Sequence, residues 1–87
     1  MPFVHILQCA DGSFYVGRTN DLRVRLEEHQ SGVGAGFTAR RRPVEMVHAE
    51  EFAQDGAAAN RKHQLKKWSR AKKSSLIKGH RSLLKVL

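Results

Sequence analysis

Residues 3–29 read Phe-Val-His-Ile-Leu-Gln-Cys-Ala-Asp-Gly-Ser-Phe-Tyr-Val-Gly-Arg-Thr-Asn-Asp-Leu-Arg-Val-Arg-Leu-Glu-Glu-His, and the run spells strand, tight turn, strand, helix. Phe3 to Cys9 is apolar and rich in β-branched and aromatic side chains, and Phe14 to Val16 is a second, shorter run of the same kind. Asp11-Gly12-Ser13 between them takes positive φ cheaply, so the two runs are expected to pair as an antiparallel hairpin whose second strand stops at Gly17. Thr19, Asn20 and Asp21 are each competent helix caps, and Leu22 and Leu26 then fall one turn apart. Asp21, Arg25 and His29 share that spacing, which delivers a cation and an imidazole beside the end of the hairpin.

Working outward, the first helix is expected from Asp21 to Gln30, stopped by Ser31 and Gly32. Gly32, Gly34 and Gly36 punctuate a loop that closes on Phe37-Thr38-Ala39-Arg40-Arg41-Arg42-Pro43. No Lys-Ser/Thr pair follows these glycines, so this is not a nucleotide-cradling loop. It reads either as a flexible connection or as a place where Thr38 and the three arginines meet phosphates, Arg being able to contact them in bidentate fashion. Val44 to Phe52 is the third strand, with an imperfect alternation that suits cover on both faces. A second helix follows, capped by Asp55 and running to Trp68, and Ser69 caps a third that covers Arg70 to Lys78 and ends at Gly79. The fold class expected is α+β, a three-stranded antiparallel sheet flanked by three helices over residues 1–79, with residues 80–87 as a short tail.

Eighty-seven residues make one domain, burying roughly 60% of its unfolded surface, enough for a small core. The core expected is Phe3, Val4, Ile6, Leu7, Phe14, Val16, Leu22, Leu26, Phe37, Val44, Met46, Val47, Phe52, Leu65, Trp68, Leu76 and Ile77. Cys9 is the single cysteine, so no intrachain disulfide forms, and the five histidines are too scattered to complete a zinc site. With no basic leader and no membrane-length apolar window, a reduced, cytoplasmic compartment is expected. Charge is divided unevenly. Residues 1–55 hold six Lys/Arg and all eight Asp/Glu, a net charge of −2, whereas residues 56–87 hold ten Lys/Arg and no acid, a net charge of +10. Ten cations without one acid point to a polyanion, and nucleic acid fits better than a membrane because no helix backs its basic face with a broad apolar one.

These residues resemble the GIY-YIG nuclease superfamily, in particular its small stand-alone bacterial members. Val4-His5-Ile6 stands at the first signature, where the middle residue is usually Tyr, and Tyr15-Val16-Gly17 at the second. Arg25 matches the helix arginine of the family, and His29 the position one turn later; the likeness runs from about residue 3 to residue 78. It implies an endonuclease that hydrolyses DNA phosphodiester bonds with Mg²⁺ or Mn²⁺ held by one Glu of a later helix. Such hydrolysis needs a base for water, positive charge for the phosphorane oxygens and help for the leaving oxygen.

On that basis His5, Tyr15, Arg25 and His29 are the expected catalytic residues. His5 replaces a phenol near pKa 10 by an imidazole near 6.5, either a competent base or an inert strand substitution. Arg25 otherwise reads as a surface arginine paired with Asp21, Tyr15 as a half-buried strand tyrosine, and His29 as a helix-end histidine favoured by the macrodipole. Expected nucleic-acid contacts are Gly17, Arg18, Thr38, Arg40, Arg41, Lys66, Lys67, Arg70, Lys72 and Lys73, with DNA as partner and RNA as a second candidate. The departure that matters is Lys62. Gln64-Leu65-Lys66-Lys67-Trp68 aligns it with the metal-binding Glu, where an ammonium repels a divalent cation. Glu50, Glu51 and Asp55 are the nearest other carboxylates, and Lys62 could itself stand in for the ion as a weaker fixed charge. Two readings therefore stand: an endonuclease, with metal or with none, and a nucleic-acid-binding module on a decayed nuclease fold.

Overall fold

The hairpin forms as its turn chemistry requires. In the computed structural model, which describes residues 1–34 and 36–86, with 80–86 described by backbone alone, β1 (Phe3–Cys9) and β2 (Phe14–Thr19) pair antiparallel from Phe3↔Thr19 to Gln8↔Phe14. Gly12 takes φ 85°, its N–H donates to the Cys9 carbonyl at 2.9 Å, and the Asp11 carboxylate accepts from the Ser13 N–H at 3.0 Å and hydroxyl at 2.6 Å. β2 runs past Gly17 to Thr19, so the glycine lies inside the strand and does not end it. The third strand, β3 (Val44–Glu51), lies antiparallel on the other side of β1, giving the order β2-β1-β3 with an irregularity between Ile6 and Leu7.

A central strand is covered on both faces, and β1 shows it: Val4, Ile6, Leu7 and His5 are all fully buried. On one face Val4 and Ile6 join Val16, Val47, Ala58, Leu65 and Ile77, with Phe14, Phe52, Trp68 and Leu76 packed around them. Leu65 and Ala58 come from α3 (Asp55–Lys67), and Ile77 from α4 (Arg70–Val86). On the other face Leu7, Cys9 and Val44 pack with Tyr15, Met46 and Leu26, the last from α1 (Leu22–Ser31).

Asp21 is the cap of α1, accepting from the Val24 N–H at 3.1 Å, while Gly32 closes the helix in the left-handed region at φ 88°. Asp55 is the first helical residue of α3 and not its cap, which is Gln54 with no side-chain hydrogen bond. Ser69 caps α4 through its hydroxyl, which accepts from the Lys72 N–H at 3.2 Å. That helix continues through Gly79 to Val86, since one glycine costs a helix only about 1 kcal/mol. The tail expected over 80–87 falls where side chains, and at residue 87 the backbone, lie outside the described residues. A fourth, one-turn helix, α2 (Gly36–Ala39), stands in the glycine loop where a connection without structure was expected. Among the described residues no helix is long and apolar enough to cross a membrane.

Candidate functional site

Strand alternation sends His5, Leu7, Tyr15 and Gly17 to the α1 face of the sheet, and the register sets His5 directly opposite Gly17. A Cβ on residue 17 would stand 2.7 Å from His5 Nε2 and 3.2 Å from the Tyr15 ring, so only glycine lets the His5 ring lie across the neighbouring strand. Arg25 and His29 arrive one turn apart on α1. The His29 ring centroid lies 5.1 Å from that of Tyr15 and 6.2 Å from that of His5. The four expected catalytic residues are thus brought together.

Both imidazoles are held neutral. Burial, then the charges of His29, Arg25 and Lys62, push the His5 pKa down to about 4, and neither ring nitrogen has a hydrogen-bond partner. Burial and Arg25 lower His29 against the opposing pull of Glu28. Its Nδ1 shares a 2.5 Å hydrogen bond with the Thr38 hydroxyl, while its Nε2 is buried without a partner. Arg25 pairs with Glu28 at 3.6 Å and not with Asp21, a loose contact that a phosphate can displace.

The loop that follows α1 is built to close over His29. A Cβ on Gly34 would come within 2.6 Å of His29 Nδ1. Thr38, expected to touch phosphate, is fully buried on α2 and fixes His29 instead. Phe37, expected in the core, is 39% exposed and stacks on Tyr15 with centroids 6.0 Å apart. Arg41 lies over Phe37 at 4.0 Å, bonds the Phe37 carbonyl at 2.8 Å and pairs with Asp11 at 3.1 Å, so it straps the loop to the hairpin. Arg42 donates to the carbonyls of Ala39 and Gln30 at 3.0 and 3.3 Å. Arg40 is exposed. The sequence could not show the Thr38 and Phe37 contacts, since neither residue carries a motif and both reach their partners only through the turn of α2.

The basic residues divide in the same way. Arg61 is committed to structure: it bonds Glu50 in bidentate fashion at 2.9 and 3.0 Å and Gln64 at 2.7 Å. Arg70 lies 4.6 Å over Phe14, and Lys72 lies 4.4 Å over Trp68. Lys66 and Lys67 are exposed and Lys73 is half-buried. Arg18 is exposed on the edge strand, where its guanidinium donates to the Asp55 carbonyl at 3.3 Å. Gly17 is buried under the site.

Lys62, on α3, belongs to this neighbourhood. Burial lowers its pKa first, then the charges of Lys66, Arg18 and Arg25. A divalent cation needs oxygen ligands, and this position offers an ammonium among three further cations, so the residues present do not fit Mg²⁺ or Mn²⁺. The alternative carboxylates do not repair this. For Glu50 burial would raise the pKa, but hydrogen bonds from Arg61 and His48 outweigh it and hold the carboxyl below its usual range. Glu51 and Asp55 are exposed, and among the described residues no three His, Cys, Asp or Glu are grouped to hold a metal ion.

Comparison with known proteins bears on the family and the fold. The model of the GIY-YIG catalytic domain matches residues 1–75. A UPF0213 protein of Natronomonas pharaonis is 45% identical over 75 residues, spanning 86% of this chain and 88% of its own. One from Bacillus pumilus is 47% identical over 75 residues, spanning 86% of this chain and 76% of its own. The solution NMR structure of a UPF0213 protein from Bacillus halodurans superposes with a TM-score of 0.59 at 38% identity, covering 90% of this chain and 84% of that one. A second NMR structure, of a protein from E. faecalis, gives a TM-score of 0.62 at 41% identity, covering 91% and 84%.

Proposed function

Because the chain belongs to the GIY-YIG catalytic domain family, we propose that it is an endonuclease hydrolysing DNA phosphodiester bonds, with His5, Tyr15, Arg25 and His29 as its reacting set. The observation that carries this reading is convergence: β1, β2 and α1 bring two imidazoles, a phenol and a guanidinium into one neighbourhood, with His5 and Tyr15 packed against Gly17. In the reaction, water attacks phosphorus and gives up a proton as the P–O bond to the leaving oxygen breaks, and the departing alkoxide takes a proton from solvent. His29 is the better placed of the two imidazoles to take the proton of the attacking water. Thr38 holds its Nδ1, leaving Nε2, buried and without a partner, as the nitrogen that takes the proton once substrate reaches it, and the Tyr15 ring beside it can orient the water or the phosphate. Arg25 exchanges Glu28 for the phosphorane oxygens and meets the charge that develops there. Lys62 does not fit a metal ligand, so the step is assigned to these side chains alone.

Lys62 also favours a second reading, in which the basic helices bind DNA or RNA and nothing is cut. The two separate on supercoiled plasmid. The endonuclease reading expects slow nicking that survives chelation, and Arg25→Ala should lower its rate by roughly 10²–10³-fold, the scale of removing one oxyanion donor, with DNA affinity within a few-fold of wild type. Losing Lys66 and Lys67 together should weaken binding and leave the rate on bound DNA unchanged. Wild-type protein that binds DNA and never nicks it selects the binding module.

A further inference from the structure

Between the edge strand and α3 lies a recess of about 290 Å³ lined by Arg18, Ala59, Lys62, His63 and Lys66. No carboxylate lines it, and among the described residues none of Arg18, Lys62 and Lys66 forms an ion pair. Lys62 and Lys66 stand one helical turn apart, an arrangement that costs an isolated helix a few tenths of a kcal/mol through like-charge repulsion. Lys62 is moreover half-buried, and Arg18 is held to the start of α3 by its bond to the Asp55 carbonyl. Three cations thus line one concavity that, among the described residues, no carboxylate lines, and Ala59 is too short to fill it. Lys62 lies within electrostatic reach of Arg25 and His5, and Arg18 directly follows Gly17 on β2, so the recess borders the strand that carries Tyr15.

We propose that this recess binds a nucleic-acid phosphodiester oxyanion directly, through Lys62 with Arg18 and Lys66, at the position where the family resemblance calls for a metal-binding carboxylate. The proposal rests on the reading that the protein acts on nucleic acid, and it changes what anchors the substrate there. A metal bridges phosphate to a carboxylate, whereas an ammonium meets the phosphate oxygen itself as a point charge. Binding then needs no divalent ion, and added Mg²⁺ acts only as a competing counterion that weakens it.

The test is fluorescence anisotropy of a mixed-sequence DNA duplex with the full chain, titrated with NaCl in the presence of EDTA or of Mg²⁺. Wild-type protein should bind at least as tightly in EDTA as in Mg²⁺. Lys62→Gln should make the log–log salt slope shallower by about 0.9, the loss of one phosphate contact, and weaken binding at moderate salt by roughly three- to tenfold. Lys62→Arg should keep the slope, which separates charge from packing. Arg23→Gln, a loss of one exposed charge elsewhere on α1, should change neither quantity beyond a small uniform weakening. A Lys62→Gln slope equal to wild type, or wild-type binding that requires Mg²⁺, overturns the recess as a phosphate site while leaving the protein a nucleic-acid binder. No binding by wild type in either condition overturns both.

Discussion

His5 carries a cost that depends on pH. It is fully buried, its ring nitrogens have no partner, and burial with the charges of His29, Arg25 and Lys62 brings its pKa to about 4. In the unfolded chain the same ring titrates near 6.5, so between these values the unfolded state binds a proton that the folded state refuses. Stability therefore rises with pH across that window and is lost as pH falls through it. His29, lowered for a similar reason, adds in the same direction. Urea unfolding at about pH 4.5 should show wild type less stable than at about pH 7 by an amount on the order of 2–3 kcal/mol. His5→Leu should remove most of that difference. An identical acid response in the variant would place the titration elsewhere. His5 and its strand are readable from the residues alone, but the strength of its shift comes from burial and from His29, Arg25 and Lys62, which only the folded chain brings near.

At the level of elements, α1 is hydrogen-bonded to β3 through a side chain near its end, beside the packing of Leu26. Gln30 donates to the Val44 carbonyl at 2.5 Å and accepts from the Val44 N–H at 3.1 Å, so it acts as a further strand partner for the first residue of β3. Val44 is buried, and Gln30→Ala would leave both its backbone groups without these bonds. The variant should lose about 1–3 kcal/mol by denaturant midpoint, and its nicking rate should fall because α1 carries Arg25 and His29. A stability loss below about 0.5 kcal/mol would mean that packing of Leu26 alone sets the helix. Hairpin, first helix and third strand were legible because hydrophobic period, turn residues and caps are local signals. The loop between α1 and β3 was not. Arg41 on Asp11 and Arg42 on the Gln30 carbonyl are contacts between distant parts of the chain, and they turned arginines expected to face phosphate into straps. Phe37 gave no local sign that it would stack on Tyr15 instead of entering the core.

Over the whole molecule, charge and chemistry are divided between two layers. The α1 face holds the proposed reacting set, and residues 56–87, which begin one residue into α3, carry ten of the sixteen Lys/Arg and no acid. Lys62 is where these meet, a basic residue on α3 whose pKa already registers Arg25 from the other layer. We propose that this chain keeps the phosphodiester-cleaving cluster of its family but exchanges the metal-binding carboxylate for a fixed cation. Lys62→Glu restores an oxygen ligand and removes the repelling charge at one position. The most direct measurement is plasmid nicking by wild type and Lys62→Glu, each with Mg²⁺ and with EDTA. The account predicts wild-type nicking that is slow and indifferent to chelation, and Lys62→Glu nicking that is raised by Mg²⁺ and lost in EDTA. Robust Mg²⁺-dependent cleavage by wild type, abolished by EDTA and unchanged in Lys62→Glu, would contradict it and show that another carboxylate holds the metal.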